Sequence, residues 1–181
     1  MKNKIPNIYI VTGDVHQGKT SFVQKVVEEL CAKNMEVGGF LSLGNLKHGR
    51  RSGFVLRMLP DGRDMELCSD EPHKNWLKFR RFYFNPNAIA LGNKILIDEA
   101  QAQTPLVLVD EIGPMELNEA GWFPGIAALQ THFRGTQIWV VRRTLVDDVK
   151  HFFQVQHSQI IDISKQSPQA LIHSLALQEI K

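Results

Sequence analysis

The stretch Gly13-Asp14-Val15-His16-Gln17-Gly18-Lys19-Thr20 matches G-x-x-x-x-G-K-[ST] at every fixed position, and nothing else in the chain limits the fold as strongly. Such a loop needs a strand before it and a helix after it. Both flanks comply: Ile8 to Val11 is a short apolar run, and Phe22, Val23, Val26, Val27, Leu30 and Cys31 recur at helical spacing. The glycines let successive backbone N–H groups turn inward around a phosphate, and the helix adds its positive N-terminal end. Lys19 is expected to bridge the β- and γ-phosphates, the Thr20 hydroxyl to ligate Mg²⁺, and Ser21 to complete the nucleotide-contacting run. With average amino-acid usage the eight-residue pattern arises in roughly 1 chain in 200 of this length, and the flanking elements make coincidence rarer still.

The rest of the chain alternates short apolar runs with amphipathic stretches, the pattern of a parallel sheet covered by helices. Four further strands are expected near Val37–Leu43, Leu106–Val109, Ile138–Val141 and Gln159–Ile163. Asn34 supplies a stop for the first helix, Asn85-Pro86 a start for one running to about Ala102, and Ser167-Pro168 a start for the last. The rhythm breaks where Phe54–Leu59 and Met65–Leu67 flank Pro60-Asp61-Gly62-Arg63, which reads as a β-hairpin. The expectation is one α/β domain over residues 1–181, a three-layer α/β/α P-loop fold with a hairpin insertion at approximately 50–70.

Composition removes several classes. The 21 Lys and Arg against 19 Asp and Glu leave a net charge of +2, so phosphate binding has to be local and a nucleic-acid partner is disfavoured. Cys31 and Cys68 form neither a disulfide framework nor a zinc motif, which suits a reducing cytoplasm. The start lacks a signal-peptide apolar region, and no run approaches the roughly 18 apolar residues of a membrane span.

Leu106-Val107-Leu108-Val109-Asp110-Glu111 is an apolar run ending in two carboxylates, where a parallel sheet presents its ligands. Asp110 is expected to hold Mg²⁺ through water, and Glu111 to orient or deprotonate the water that attacks the γ-phosphate. Alone, the pair reads as a solvated or helix-capping motif. Beside the phosphate loop it reads as catalytic.

Asp110-Glu111-Ile112-Gly113-Pro114-Met115-Glu116-Leu117 resembles the D-E-I-G-x-M-E-L segment of the small P-loop nucleoside-triphosphatases called the THEP1 family, related to the human cancer-related nucleoside-triphosphatase. Softer matches are Val37-Gly38-Gly39-Phe40, similar to that family's G-G-F strand, and Arg51-Ser52-Gly53-Phe54, similar to its R-x-G-F segment. The resemblance covers about Ile8 to Val141. It implies a RecA-like, mainly parallel sheet in which the strand from Ile138 lies between the phosphate-loop strand and the acidic strand. It also implies Mg²⁺-dependent hydrolysis of several nucleoside triphosphates and a second acidic group, Glu116, near the site. The chain departs from the family at Asp14-Val15-His16-Gln17, where a Pro-Gly-containing stretch is commoner, and at Val155-Gln156-His157-Ser158, where an Asn-Arg pair is expected.

Charge spreading over the γ-phosphate oxygens calls for a positioned arginine. Arg142 and Arg143 follow a strand and emerge on the ligand face, while Arg50 and Arg51 fall where a mobile lid could lie. The run Lys74, Lys78, Arg80 and Arg81 interleaves with Trp76, Phe79, Phe82 and Tyr83, read as amphipathic packing with basic residues outward. The sequence therefore leads to a hydrolase of ATP or GTP, its base and any protein partner unspecified. Two alternatives stay open: a small-molecule kinase, and a nucleotide-dependent switch with slow hydrolysis.

Overall fold

The computed structural model describes residues 7–176. In chain order the elements are β1 (Asn7–Gly13), α1 (Lys19–Ala32), β2 (Val37–Lys47), β3 (Arg50–Met58), β4 (Asp64–Ser69), β5 (Leu77–Phe79) and β6 (Phe82–Phe84). They continue with α2 (Pro86–Ala102), β7 (Leu106–Ile112), α3 (Phe123–His132), β8 (Thr136–Arg142), α4 (Val146–Phe152), β9 (Gln159–Asp162) and α5 (Pro168–Ala176). One nine-stranded sheet runs β5-β6-β4-β3-β2-β7-β8-β1-β9. The five strands read as apolar runs form its parallel half, β2-β7-β8-β1-β9, with β8 between β1 and β7 as the resemblance implies.

Alternation along each parallel strand builds two separate cores. Ile8, Ile10, Val107, Val109, Trp139 and Val141 face one side, where α2, α3 and α4 cover them. Tyr9, Val11, Leu106, Leu108, Ile138 and Val140 face the other, beneath α1 and α5. Strands buried on both faces need apolar residues at consecutive positions, which is why the runs lacked a polar alternation. Trp139 is fully buried and donates its Nε1–H to Gln137 Oε1 at 2.9 Å, so the largest core side chain also has its polar atom satisfied.

The helix limits follow local chemistry. Asn34 adopts φ 60°, left-handed, just after α1. Asn85 Oδ1 accepts the Asn87 N–H at 3.0 Å with Pro86 in the first position of α2.

The insertion lies in the plane of the sheet. β2 runs on past its parallel partner and pairs antiparallel with β3, which pairs with β4. A second hairpin, β5–β6, attaches to β4. It went unread because its connection, Arg80-Arg81, has no Gly or Asn, although Arg80 takes φ 54°. Arg50 and Arg51 sit in β3, paired with Lys47 and Leu46, so ladder hydrogen bonds hold them where a mobile lid was expected.

Candidate active site

The C-terminal ends of β1, β7 and β8 deliver the site. Asp14 to Gly18 are exposed, and the loop is closed by Gln17, whose Oε1 accepts the Asp14 N–H at 2.7 Å. A Cβ on Gly13 would meet Gln17 Oε1 and Ile163 Cγ1, each at 2.7 Å, so only glycine fits this closure. Gly18 takes φ 91° as the N-cap of α1 and has no side chain with which to cap it. The first-turn N–H groups, which belong to Lys19, Thr20 and Ser21, therefore face the loop. Lys19 is 8% exposed and donates from Nζ to the carbonyls of Gly13 at 3.2 Å and Asp14 at 2.9 Å. Burial lowers its pKa, and the Glu111 carboxylate works against that shift.

Asp110 is buried and anchored from β2. Ser42 N–H donates to its Oδ2 at 3.0 Å, and the Ser42 hydroxyl donates to its main-chain carbonyl. Burial pushes its pKa up to about 7, against the Ser42 N–H, the Thr20 hydroxyl and the Lys19 charge. Its Oδ1 is buried with no well-aligned hydrogen-bond partner. A buried carboxylate oxygen left over beside a threonine hydroxyl fits a hard cation with oxygen ligands, and Mg²⁺ takes only one or two such protein ligands.

The register with β8 slips between Asp110 and Ile112, which leaves Glu111 out of the pairing. Its Oε1 accepts Arg142 Nε at 2.6 Å in a half-buried ion pair. Arg142 thus joins the site. Arg143 has other partners: it grips Asp162 at the end of β9 through two N–H groups, at 2.7 and 3.1 Å, and reaches Asp14 of the phosphate loop at 3.1 Å. These bonds hold the Asp162 carboxyl well below the usual range and tie the phosphate loop to β9.

Glu116 lies within the segment after β7 and acts on the backbone. Its two carboxylate oxygens accept the N–H groups of Gly113 at 2.8 Å and Trp122 at 3.0 Å. Burial raises its pKa to about 7. In Glu116→Gln an amide NH₂ must face one of those N–H groups, an expected loss of about 2 kcal/mol and a Tm drop of about 4–8 °C for a chain this size. Between its ordinary value and about 7 the folded state holds the Glu116 proton more tightly than the unfolded state. This contribution to stability therefore declines as pH rises through that window. Unfolding midpoints measured from pH 5 to 8 should show a shallower decline in the variant.

Ser42, Asp162 and Trp122 were not singled out from the sequence. Each acts through a partner distant in the chain or through its own backbone, and no short motif marks such a role.

A family model described as NTPase matches residues 8–176. The chain belongs to this NTPase family. The nucleoside-triphosphatase THEP1 of Thermococcus kodakarensis is 32% identical to it over 108 residues, 59% of this chain and 60% of that protein. The chain thus spans about three-fifths of the curated relatives it matches. Two solved structures share the fold. The human cancer-related nucleoside triphosphatase has a TM-score of 0.70 at 18% identity, covering 94% of this chain and 96% of that one. THEP1 from the hyperthermophile Aquifex aeolicus has a TM-score of 0.68 at 21% identity, covering 93% and 96%. The kinship drawn from the D-E-I-G-x-M-E-L segment and the expected three-layer fold both hold. Among the described residues no helix is long and apolar enough to cross a membrane.

Proposed function

We infer that the chain hydrolyses nucleoside triphosphates, ATP or GTP, to the diphosphate and phosphate with Mg²⁺, and that Glu111 directs the attacking water. One observation carries this reading: three neighbouring strand ends bring together Lys19, which donates to the loop carbonyls after β1, the Asp110 and Glu111 carboxylates of β7, and Arg142 of β8, 2.6 Å from Glu111. The names of the curated relatives support the same activity.

The loop N–H groups from Gly13 to Thr20 cradle the phosphates, and Lys19 exchanges the Gly13 and Asp14 carbonyls for β- and γ-phosphate oxygens. Thr20 and Asp110 hold Mg²⁺, which when bound neutralises charge on those oxygens. A water oxygen bonds to the γ-phosphorus as the bond to the β–γ bridging oxygen breaks, and Glu111 takes the water's proton. Arg142, 2.6 Å from Glu111, moves to the γ-phosphate as charge develops there and frees the carboxylate. Cys31 and Cys68, both free thiols, suit the cytoplasm.

That same ion pair favours a second reading, a nucleotide-dependent switch in which Glu111 is held back and turnover is slow. Purified protein incubated with ATP or GTP and no other substrate decides the matter. Phosphate release that requires Mg²⁺ and is abolished by chelation supports hydrolysis. Tight triphosphate binding without release over hours supports the switch, and release only on adding an acceptor supports the kinase.

A further inference from the structure

A cavity of about 560 Å³ opens beside Glu111, a volume ordinary for a small-molecule site. From the phosphate loop it takes only Val15 and His16, and none of Gly18, Lys19, Thr20 or Ser21 lines it. Its walls are apolar and aromatic: Phe54, Phe79, Phe82, Phe84, Ile89 and Trp122. Most come from the antiparallel extension and so lie toward the edge of the sheet opposite β1 and β9. The walls are well packed. Phe54 meets Phe82 edge-on at 5.7 Å, and Trp122 rests on Phe40 at 4.6 Å and on Gly92, where a Cβ would lie 2.4 Å from the indole.

The charge lining this cavity is unbalanced. Arg51, Arg80 and Arg81 lie over the rings of Phe54, Phe79 and Phe82 at 5.2, 5.8 and 4.5 Å. Among the described residues none of the three is ion-paired, unlike Arg57, Arg63, Arg142 and Arg143. Arg81 also donates to the Arg51 carbonyl at 3.0 Å, which links the β5–β6 turn to β3. Gly44 lets the Arg51 guanidinium pass where any Cβ would collide with it. The cavity's two carboxylates are already committed, Glu111 to Arg142 and Glu116 to two backbone N–H groups. Three guanidinium groups without counter-charge, over aromatic faces, match an anion with a flat apolar body.

We propose that this cavity is a second small-molecule site, for an aromatic carboxylate, filled at the same time as the phosphate loop. The placement rests on the reading above, in which the triphosphate ends at Glu111; the cavity begins there, so the two ligands lie end to end. Arg51 and Arg81 hold the carboxylate, and the ring system lies among Phe54, Phe82 and Trp122.

The test uses the full chain and a matched pair of probes, 2-naphthoate and its neutral amide, titrated calorimetrically. Naphthoate should bind one per chain and at least tenfold more tightly than 2-naphthamide, with or without a non-hydrolysable triphosphate and Mg²⁺. Arg81→Ala and Arg51→Ala should each weaken naphthoate at least fivefold and leave the amide within twofold. Equal binding of acid and amide overturns the proposal, as does indifference to both arginines or an absence of saturation by about 5 mM. Displacement of naphthoate by the triphosphate analogue also overturns it, because the cavity would then belong to the nucleotide's own site. Lys19→Ala separates the two readings: it should lose the triphosphate and keep naphthoate. Retained triphosphate binding in that variant counts against the phosphate-loop reading alone.

Discussion

Glu111→Gln should lower single-turnover phosphate release at least a hundredfold while a non-hydrolysable triphosphate binds as tightly as before. The substitution keeps the shape of the side chain and an oxygen for Arg142, whose Nε stands 2.6 Å from Oε1. It removes the capacity to take a proton, and a positioned general base is worth about 10²–10⁴ in rate. Removing one negative charge from beside the γ-phosphate can only help the triphosphate bind, so a drop in affinity is not expected. Release within threefold of the parent would remove Glu111 from the chemistry and leave water activation to another group. The amide also leaves Arg142 with a weaker partner than a carboxylate, so a switch held by this ion pair would loosen. If turnover rose, the restraining reading would be correct.

How far the sequence predicted this site depended on the separation of its parts. The phosphate loop is one segment of eight residues whose roles follow from their order, and Asp110-Glu111 closes an apolar run that can only be a buried strand. Ser42 was invisible: it serves Asp110 across 68 positions, and a serine within an apolar strand advertises nothing. Arg142 and Arg143 are neighbours of one type, and only the fold separates them, because β9 brings Asp162 to the second and β7 brings Glu111 to the first. The five parallel strands were legible because both of their faces are buried. The antiparallel extension was legible only at Pro60-Asp61-Gly62-Arg63, where the turn residues declare it. At Trp76–Phe84 the basic residues were expected to point outward. Lys74, Lys78, Arg80 and Arg81 are indeed exposed, and Arg80 and Arg81 also line a cavity with their neighbouring aromatics, which the sequence did not mark.

Lys19→Ala should abolish triphosphate binding at ordinary concentrations, with affinity falling at least a hundredfold. Lys19 is the buried cation of the phosphate loop, at 8% exposure, and its Nζ already seeks oxygen from two loop carbonyls. A unit charge about 4 Å from a phosphate oxygen contributes about 4 kcal/mol at an effective dielectric constant of 20, which is close to three powers of ten. Lys19→Arg should not restore it, because a planar fork does not reproduce the compact ammonium that now donates to the Gly13 and Asp14 carbonyls. The fold should survive. The α1 face that packs on the sheet is Phe22, Val23, Val26, Val27 and Leu30, and alanine at the first helical position keeps the Gly18 cap unchanged. Calorimetry with a non-hydrolysable triphosphate and a thermal melt on the same sample check both statements, and binding within tenfold of the parent would mean that the loop's N–H groups, rather than its lysine, hold the phosphates.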